Sequence, residues 1–304
     1  LEVIDITSRG EGVVRSEEGK VIFVTGVVPG DKISLEIRKK KRGYFEANLI
    51  KIIEPSPDRI EPKCQHFGVC GGCKWQNLSH EAQLHFKQKK IILNLKNLSG
   101  MSLPKIDAIH PAPKSYFYRN KMDYAFSNQR WLTADEIGKK SMIMEKNGLG
   151  FHKAGIWDKV VDIQKCHLQP EPANEIRNKV KAFALNNQLD FFNPKTKEGF
   201  LRSLMIRNSN LGEFMVLIQF FKENKAQRES LLEHLKKHFD ITSLLYCINS
   251  KANDTIYDQE IICYNGKNYI SENIEGLCFK INAKSFFQTN TEQAYELYKK
   301  AREF

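Results

Sequence analysis

The sequence predicts an OB-like β-barrel followed by an α+β domain built around a cysteine-ligated metal. Three observations carry this. Five short strand-like runs, separated by turn signals, fill the first 54 residues. Three cysteines stand within ten residues, at 64, 70 and 73. Beyond residue 166, apolar strands alternate with amphipathic helices. The chain has 304 residues, 41% of them hydrophobic, enough for two or three cores. No apolar run approaches the length needed to cross a membrane.

The barrel strands are Val3–Ile6, Gly12–Arg15, Val21–Val24, Lys32–Ile37 and Tyr44–Ile53. Arg9-Gly10, Glu18-Gly19, Pro29-Gly30 and Arg42-Gly43 mark the turns between them. Five strands in about fifty residues suit a small closed or half-open barrel of the OB type. Between the last two lies the run Arg38, Lys39, Lys40, Lys41, Arg42. Such a run repels itself unless an anion neutralises it. It is either a solvated hairpin or a contact to a phosphate backbone. The rest of the segment is nearly balanced in charge, which favours RNA. The net charge of +11, from 47 basic and 36 acidic residues, points the same way.

Pro55, Pro57 and Pro62 make a stiff linker to the cysteine stretch Cys64-Gln-His-Phe-Gly-Val-Cys70-Gly-Gly-Cys73. Thiolates favour zinc or iron–sulfur clusters, and the small residues between them let the backbone wrap a metal. Cys166, at a strand-to-helix seam, is the best fourth ligand. Cys247, Cys263 and Cys278 lie in apolar strand-like runs and read as small buried hydrophobes. The spacing resembles a cluster set more than a zinc ribbon, but spacing alone does not fix the metal. The seven cysteines, an odd number, suit a reducing compartment, so we expect a cytoplasmic protein; we also expect a monomer.

Ser79 caps a helix running to about Leu98, with Leu84, Ile91, Leu95 and Leu98 on one face and Gly100 closing it. Tyr116–Phe126 alternates as a strand and interleaves aromatic with basic residues, a pattern suited to single-stranded bases. Pro170 and Pro172 open a helix with Ala173, Ile176, Val180, Phe183 and Ala184 on one face. Leu204–Arg207 and Phe214–Phe221 read as paired strands, followed by a helix near 226–238 and the strand Ser243–Ile248. Asn290 caps a last helix, with Gln293 at the position that bonds back.

Several of these stretches together resemble the RNA uracil-C5 methyltransferase family. They are Val27-Val-Pro-Gly-Asp31, the proline linker, the cysteine stretch, Tyr118-Arg-Asn-Lys121, Gly148–Cys166 and Phe286-Phe-Gln-Thr-Asn290. The branch resembled acts on 23S ribosomal RNA and carries a TRAM barrel and an iron–sulfur cluster. The resemblance implies a TRAM barrel over 1–54 and an iron–sulfur and central α+β domain over 55–280. It also implies the start of a Rossmann-like, S-adenosylmethionine-dependent methyltransferase domain over 281–304. The helix 79–98 packs on the catalytic domain in that family. The resemblance implies a [4Fe-4S] cluster on Cys64, Cys70, Cys73 and Cys166. It implies a cofactor contact from Gln288, and RNA contacts from Arg38–Arg42, Arg119 and Phe286. Phe286 would stack on the flipped target base.

In the family a cysteine thiolate adds to uracil C6, making C5 nucleophilic towards the cofactor's methyl group, and a base then removes the C5 proton. No residue here matches that nucleophile, that base or the glycine-rich cofactor loop. The chain starts at Leu1 and stops at Phe304 inside a helical pattern. We therefore expect a piece of a longer enzyme, inactive on its own. Two readings compete: a stand-alone RNA-binding module with a structural zinc, and a radical or redox enzyme using the cluster directly. The second is weakened because four cysteines leave no open iron for S-adenosylmethionine.

Overall fold

The computed structural model describes residues 1–100, 102–133, 136–137 and 145–304. They divide into two compact units. The first comprises Leu1–Gly68 and Gly72–Pro111. The second comprises Val69–Gly71 and Ala112–Phe304.

In the first unit, strands β1 (Asp5–Ile6), β2 (Glu11–Arg15), β3 (Val21–Thr25), β4 (Lys32–Lys40) and β5 (Tyr44–Glu54) form one sheet. Its order is β1-β2-β3-β5-β4, and only β3 and β5 run parallel. The two ends of the sheet meet. Glu2 bridges Lys32, and the Val3 amide donates to the Asp31 carbonyl at 2.9 Å. Alternating side chains from the strands, among them Val14, Ile22, Val24 and Ile33, fill the interior. Asp31 locks the closure. Its buried carboxylate accepts from the amides of Val28 (2.7 Å) and Ser56 (3.0 Å), and from Arg59 Nε (3.0 Å) and Nη2 (2.5 Å). Burial alone would raise the Asp31 pKa. The Arg59 and amide donors outweigh it and hold the carboxyl below its usual range. Gly30 completes the corner at φ 89°, where an added Cβ would sit 2.7 Å from Ser56 Oγ.

Helix α1 (His80–Ser99) starts and stops where its sequence signals lie. The Ser79 hydroxyl accepts from the Ala82 amide, and Gly100 closes it in the left-handed region. Ala82 and Phe86 pack with Val28, Leu78 and Trp75, and Lys89 pairs with Asp5 at 2.8 Å. The expected apolar face is not what this contact buries. Ile91, Leu95 and Leu98 are exposed, because the helix touches the barrel only through its first turns.

The second unit is built on a seven-stranded sheet of β6 (Lys121–Ser127), β7 (Gly148–His152), β8 (Val160–Asp162), β9 (Leu201–Asn208), β10 (Phe214–Phe220), β11 (Ser243–Ile248) and β12 (Ile262–Gly266). Its order is β12-β11-β10-β9-β6-β7-β8. All pairs are antiparallel except β10 with β11, which are joined through helix α3 (Lys225–His238). Helix α2 (Ala173–Asn186) and α3 cover one face, burying Ile176, Val180, Leu231 and Leu235 against Leu204, Ile206, Val216 and Leu244. The alternate residues Met205, Met215, Leu217, Leu245 and Cys247 face the other side. There they meet Ile270 and Ile281 of a hairpin, β13 (Tyr269–Ile274) and β14 (Leu277–Asn282). Helix α4 (Thr291–Glu303) follows, capped by Asn290, whose side chain accepts from the Gln293 amide.

Two further expectations are corrected. Tyr116–Asn120 is not strand. Phe117 sits at φ 56°, and the Phe117 and Arg119 amides donate to the carbonyls of His167 and Leu168. The strand therefore begins at Lys121, and its aromatics Tyr124 and Phe126 enter the core. Cys263 and Cys278 are exposed, since β12 and β14 lie at sheet edges. Only Cys247 is a buried hydrophobe, its thiol pushed up to about 11 by burial.

Candidate functional site

The basic run does not sit wholly on a hairpin tip. Arg38, Lys39 and Lys40 end β4, Lys41 and Arg42 form the turn, and all five are exposed. Arg38 pairs with Glu46 at 3.0 Å, and Lys40 lies 5.9 Å from the centre of the Phe45 ring. Lys39, Lys41 and Arg42 form no ion pair among the described residues, so a dense positive field reaches solvent here.

The cysteines predicted as ligands are divided between the units. Cys64 and Cys73 belong to the first, Cys70 and Cys166 to the second. The Cys64 amide donates to Gln76 Oε1 at 3.2 Å. Val69–Gly71 makes a single antiparallel bridge just beyond the end of β7. Cys70 bridges Lys153, and the Gly71 amide donates to the His152 carbonyl at 3.0 Å. A Cβ on residue 71 would lie 2.6 Å from that carbonyl, so only glycine fits. Cys166 is buried, and Asn174 holds its backbone from both sides. The Cys166 amide donates to Asn174 Oδ1 at 2.7 Å, and Asn174 Nδ2 donates to the Cys166 carbonyl at 3.0 Å. Buried Arg177 donates to the same Asn174 Oδ1 and to the carbonyls of Ile163 and Gln164. Among the described residues, no three His, Cys, Asp or Glu side chains are assembled into a metal cage. The hydrogen-bonded backbone around Cys70 and Cys166 suits metal ligands.

Segment 283–290 lies on the second unit. Phe286 is 83% exposed, and the Gln288 side chain also faces solvent. Their backbone is held from beneath. The Asn120 amide donates to the Thr289 carbonyl (2.9 Å), and Asn120 Nδ2 donates to the Gln288 carbonyl (2.8 Å) and to Thr291 Oγ1 (3.0 Å). Arg207 Nη2 donates to the Ser285 carbonyl at 2.7 Å. Burial depresses the Arg207 guanidinium below its ordinary range, so its remaining bonds matter. Sequence reasoning passed over Asn120, although it stands in the same Tyr-Arg-Asn-Lys stretch. Arg119 itself is half-buried and donates through Nε to the Lys121 carbonyl at 3.3 Å.

Sequence reasoning also passed over a carboxylate on the β13–β14 hairpin. Glu272 on β13 is buried and accepts from the Asn210 amide at 3.1 Å. Burial raises its pKa, with the Asn210 amide and the Thr291 hydroxyl opposing. A cavity of about 460 Å³ opens on the sheet face opposite the helices. Among the described residues, no helix is long and apolar enough to cross a membrane.

No family model matches the chain. Similarities along nearly all of this chain exist nonetheless. The uncharacterized RNA methyltransferase of Bacteroides thetaiotaomicron is 47% identical over 288 residues, covering 93% of this chain and 63% of the relative. That of Porphyromonas gingivalis is 42% identical over 310 residues, covering 100% and 66%. The tRNA (uracil(54)-C(5))-methyltransferase of Pyrococcus abyssi is 31% identical, covering 96% and 65%. The crystal structure of the Pyrococcus abyssi tRNA (uracil-54, C5)-methyltransferase with S-adenosyl-L-homocysteine is similar in fold, with a TM-score of 0.71 at 28% identity. The match covers all of this chain and 64% of that one. The chain thus spans just under two thirds of the length of the proteins it resembles.

Proposed function

We propose that this chain forms the RNA-binding part of an S-adenosylmethionine-dependent methyltransferase that modifies uracil C5 in ribosomal RNA. The observation that carries the reading is similarity along the whole chain to RNA methyltransferases, one of them a uracil-C5 enzyme. The closed barrel takes the role of a TRAM domain. Its basic run, Arg38–Arg42, holds phosphates. Arg119 adds a further RNA contact. Residues 281–304 lead into the methyltransferase domain, with Gln288 contacting the cofactor and Phe286 stacking on the target base. When bound, S-adenosylmethionine supplies the methyl group. The residues on this chain bind and orient RNA and present Gln288, while Asn120 and Arg207 hold that segment's carbonyls.

We place a [4Fe-4S] cluster on Cys64, Cys70, Cys73 and Cys166, with a structural rather than redox role. Spacing and the pinned backbones of Cys70 and Cys166 support it. The 304 residues alone are expected to be inactive, because no matching nucleophile or cofactor loop stands in them. We expect the protein to act as a monomer in the cytoplasm.

A transfer RNA substrate is the second reading, favoured by the Pyrococcus abyssi relative and structure. The test is methyl transfer by the full-length protein to uracil C5 in ribosomal RNA and in transfer RNA, each mapped by mass spectrometry. Methylation of ribosomal RNA alone supports the proposal. Methylation of transfer RNA alone moves it to the second reading, and methylation of neither overturns both.

A further inference from the structure

The cavity on the open sheet face belongs entirely to the second unit and has no part in the reading above. Its floor is made by the side chains of Asp123, Ser203, Met205 and Leu217, which alternate away from the helices. At about 460 Å³ it falls within the usual range of small-molecule sites. Three features of its lining single out the ligand.

The first is an exposed aromatic rim. Trp157 and Tyr257 line the cavity yet remain 65% and 68% exposed. Large aromatic faces left in water at the mouth of a cavity are stacking platforms for flat ligands. The second is a buried cation. Arg202 lines the cavity, is almost wholly buried, and forms no ion pair among the described residues. Its Nη atoms donate to the carbonyls of Asn249, Lys251 and Ala252, and its guanidinium stacks 4.9 Å from the Phe192 ring. A guanidinium stays protonated in proteins, so this side of the lining keeps a fixed positive charge. The third is the remaining charge balance. Lys197 adds an exposed cation; of the two acidic residues in the lining, Asp123 is paired with Lys121 at 3.1 Å and Asp254 acts on Arg202, which leaves Lys197 without an acidic partner among the described residues. Aromatic rim, buried guanidinium and a free lysine together fit a base attached to a phosphate.

We propose that this cavity is a nucleotide pocket that holds a single-stranded RNA nucleotide flanking the one presented to Phe286. The proposal rests on the RNA reading above and extends it to a second, separate contact. Ala283 is part of the cavity lining and lies three residues before Phe286, a span of at most roughly 10 Å of chain. One RNA strand can therefore reach both places. The pocket reads a neighbour of the target, so it contributes to which sequence context is accepted.

The test is fluorescence anisotropy of a labelled single-stranded RNA hexamer with the 304-residue chain. The variants are Trp157→Ala, Tyr257→Ala and Lys197→Glu, all at exposed positions. Lys236→Glu on α3 makes the same charge change on the opposite face of the sheet. We expect Trp157→Ala and Tyr257→Ala each to weaken binding by roughly 5- to 100-fold, the usual loss of one base–aromatic stack. Lys197→Glu should weaken binding and lower its salt dependence by about one phosphate contact, while Lys236→Glu stays within twofold. Losses below twofold in both aromatic variants overturn the pocket. So does saturation by free uridine or adenosine monophosphate with no tighter binding of the hexamer. The hexamer result needs no methyl transfer. Loss of binding in the aromatic variants without uracil methylation by the full-length protein sustains the pocket and removes the enzymatic reading. Methylation with unchanged hexamer binding does the reverse.

Discussion

Replacing Asp31 by alanine should remove a large share of the first unit's stability. The carboxylate is fully buried and receives four hydrogen bonds, two of them from Arg59. Its loss leaves the amides of Val28 and Ser56 without acceptors and strips Arg59 of its counter-charge. Breaking one side of a buried ion pair costs about 3–5 kcal/mol. The Arg59 side chain is 21% exposed and keeps its bond to the Gly26 carbonyl, so water and backbone recover part of this. We therefore expect about 3–4 kcal/mol for Asp31→Ala. Asp31→Asn keeps one acceptor and should cost less. The sign with pH follows from the depressed carboxyl. The Asp31 contribution is complete above the unfolded pKa, near 3.9, and is lost as pH falls through the lower folded value. The assay is urea unfolding at pH 7 read from Trp75, whose indole donates to the Thr7 carbonyl, with Trp131 and Trp157 changed to Phe in the background. Hydrogen exchange at Val28 and Ser56 gives the local counterpart. A loss under about 1 kcal/mol, with both amides still protected, would refute the idea that Asp31 locks the barrel.

Asn120→Ala should cost about 1–3 kcal/mol for its two side-chain bonds, and, on the proposed function, in the full-length protein it should raise KM for S-adenosylmethionine more than it lowers kcat; unchanged KM would show that holding the Gln288 carbonyl is irrelevant to cofactor binding. Glu272 has a raised pKa, so its effect on stability is favourable at low pH and is lost as pH climbs above the unfolded carboxyl value. Glu272→Gln should accordingly raise the unfolding midpoint at pH 8 and lower or leave it at pH 4, checked by thermal melts at both. Serine at any of Cys64, Cys70, Cys73 or Cys166 should abolish iron and acid-labile sulfide in anaerobically purified protein, while Cys263→Ser and Cys278→Ser leave both intact. One zinc per chain and no colour would replace the cluster by a zinc site. Changing Arg38–Arg42 to glutamine should reduce the salt slope of RNA binding by up to about 3.5, at roughly 0.7 per phosphate contact; an unaltered slope would mean that the run is only solvated.

The elements that could be read in the sequence are those whose signals are local. Ser79 and Gly100 bound α1 because a hydroxyl and a left-handed glycine act within one turn. Asn290 fixes the start of α4 for the same reason. The β9–β10 pair follows from apolar alternation on both sides of a short turn. What failed depends on distant partners. Tyr116–Asn120 alternates like a strand, but its amides are taken by His167 and Leu168, fifty residues away. Nothing near Cys263 shows that β12 will be an edge strand. The candidate site was visible only as residue types. Arg38–Arg42, the cysteines and Gln288 stood out, whereas Asn120, Arg207 and Asn174 matter through carbonyls and amides whose positions no spacing encodes. The cavity was invisible for the same reason, since Trp157, Arg202 and Tyr257 come from three separate loops and strands.

The pairing of Val69–Gly71 with the end of β7 also sets an order of events. Gly71 waits for His152, a contact that closes a loop of about 80 residues and must bear its closure entropy before gaining anything. Synthesis at roughly 5–20 residues per second delays that partner by about 4–16 s. The barrel strands are complete by residue 54 and can assemble in that interval. Cys70 stays on a loose segment until β7 arrives, and Cys166 emerges later still. If these thiols hold the proposed cluster, a metal delivered early would meet unfixed ligands, and loading would follow the arrival of β7 and Cys166 rather than the appearance of the first cysteines.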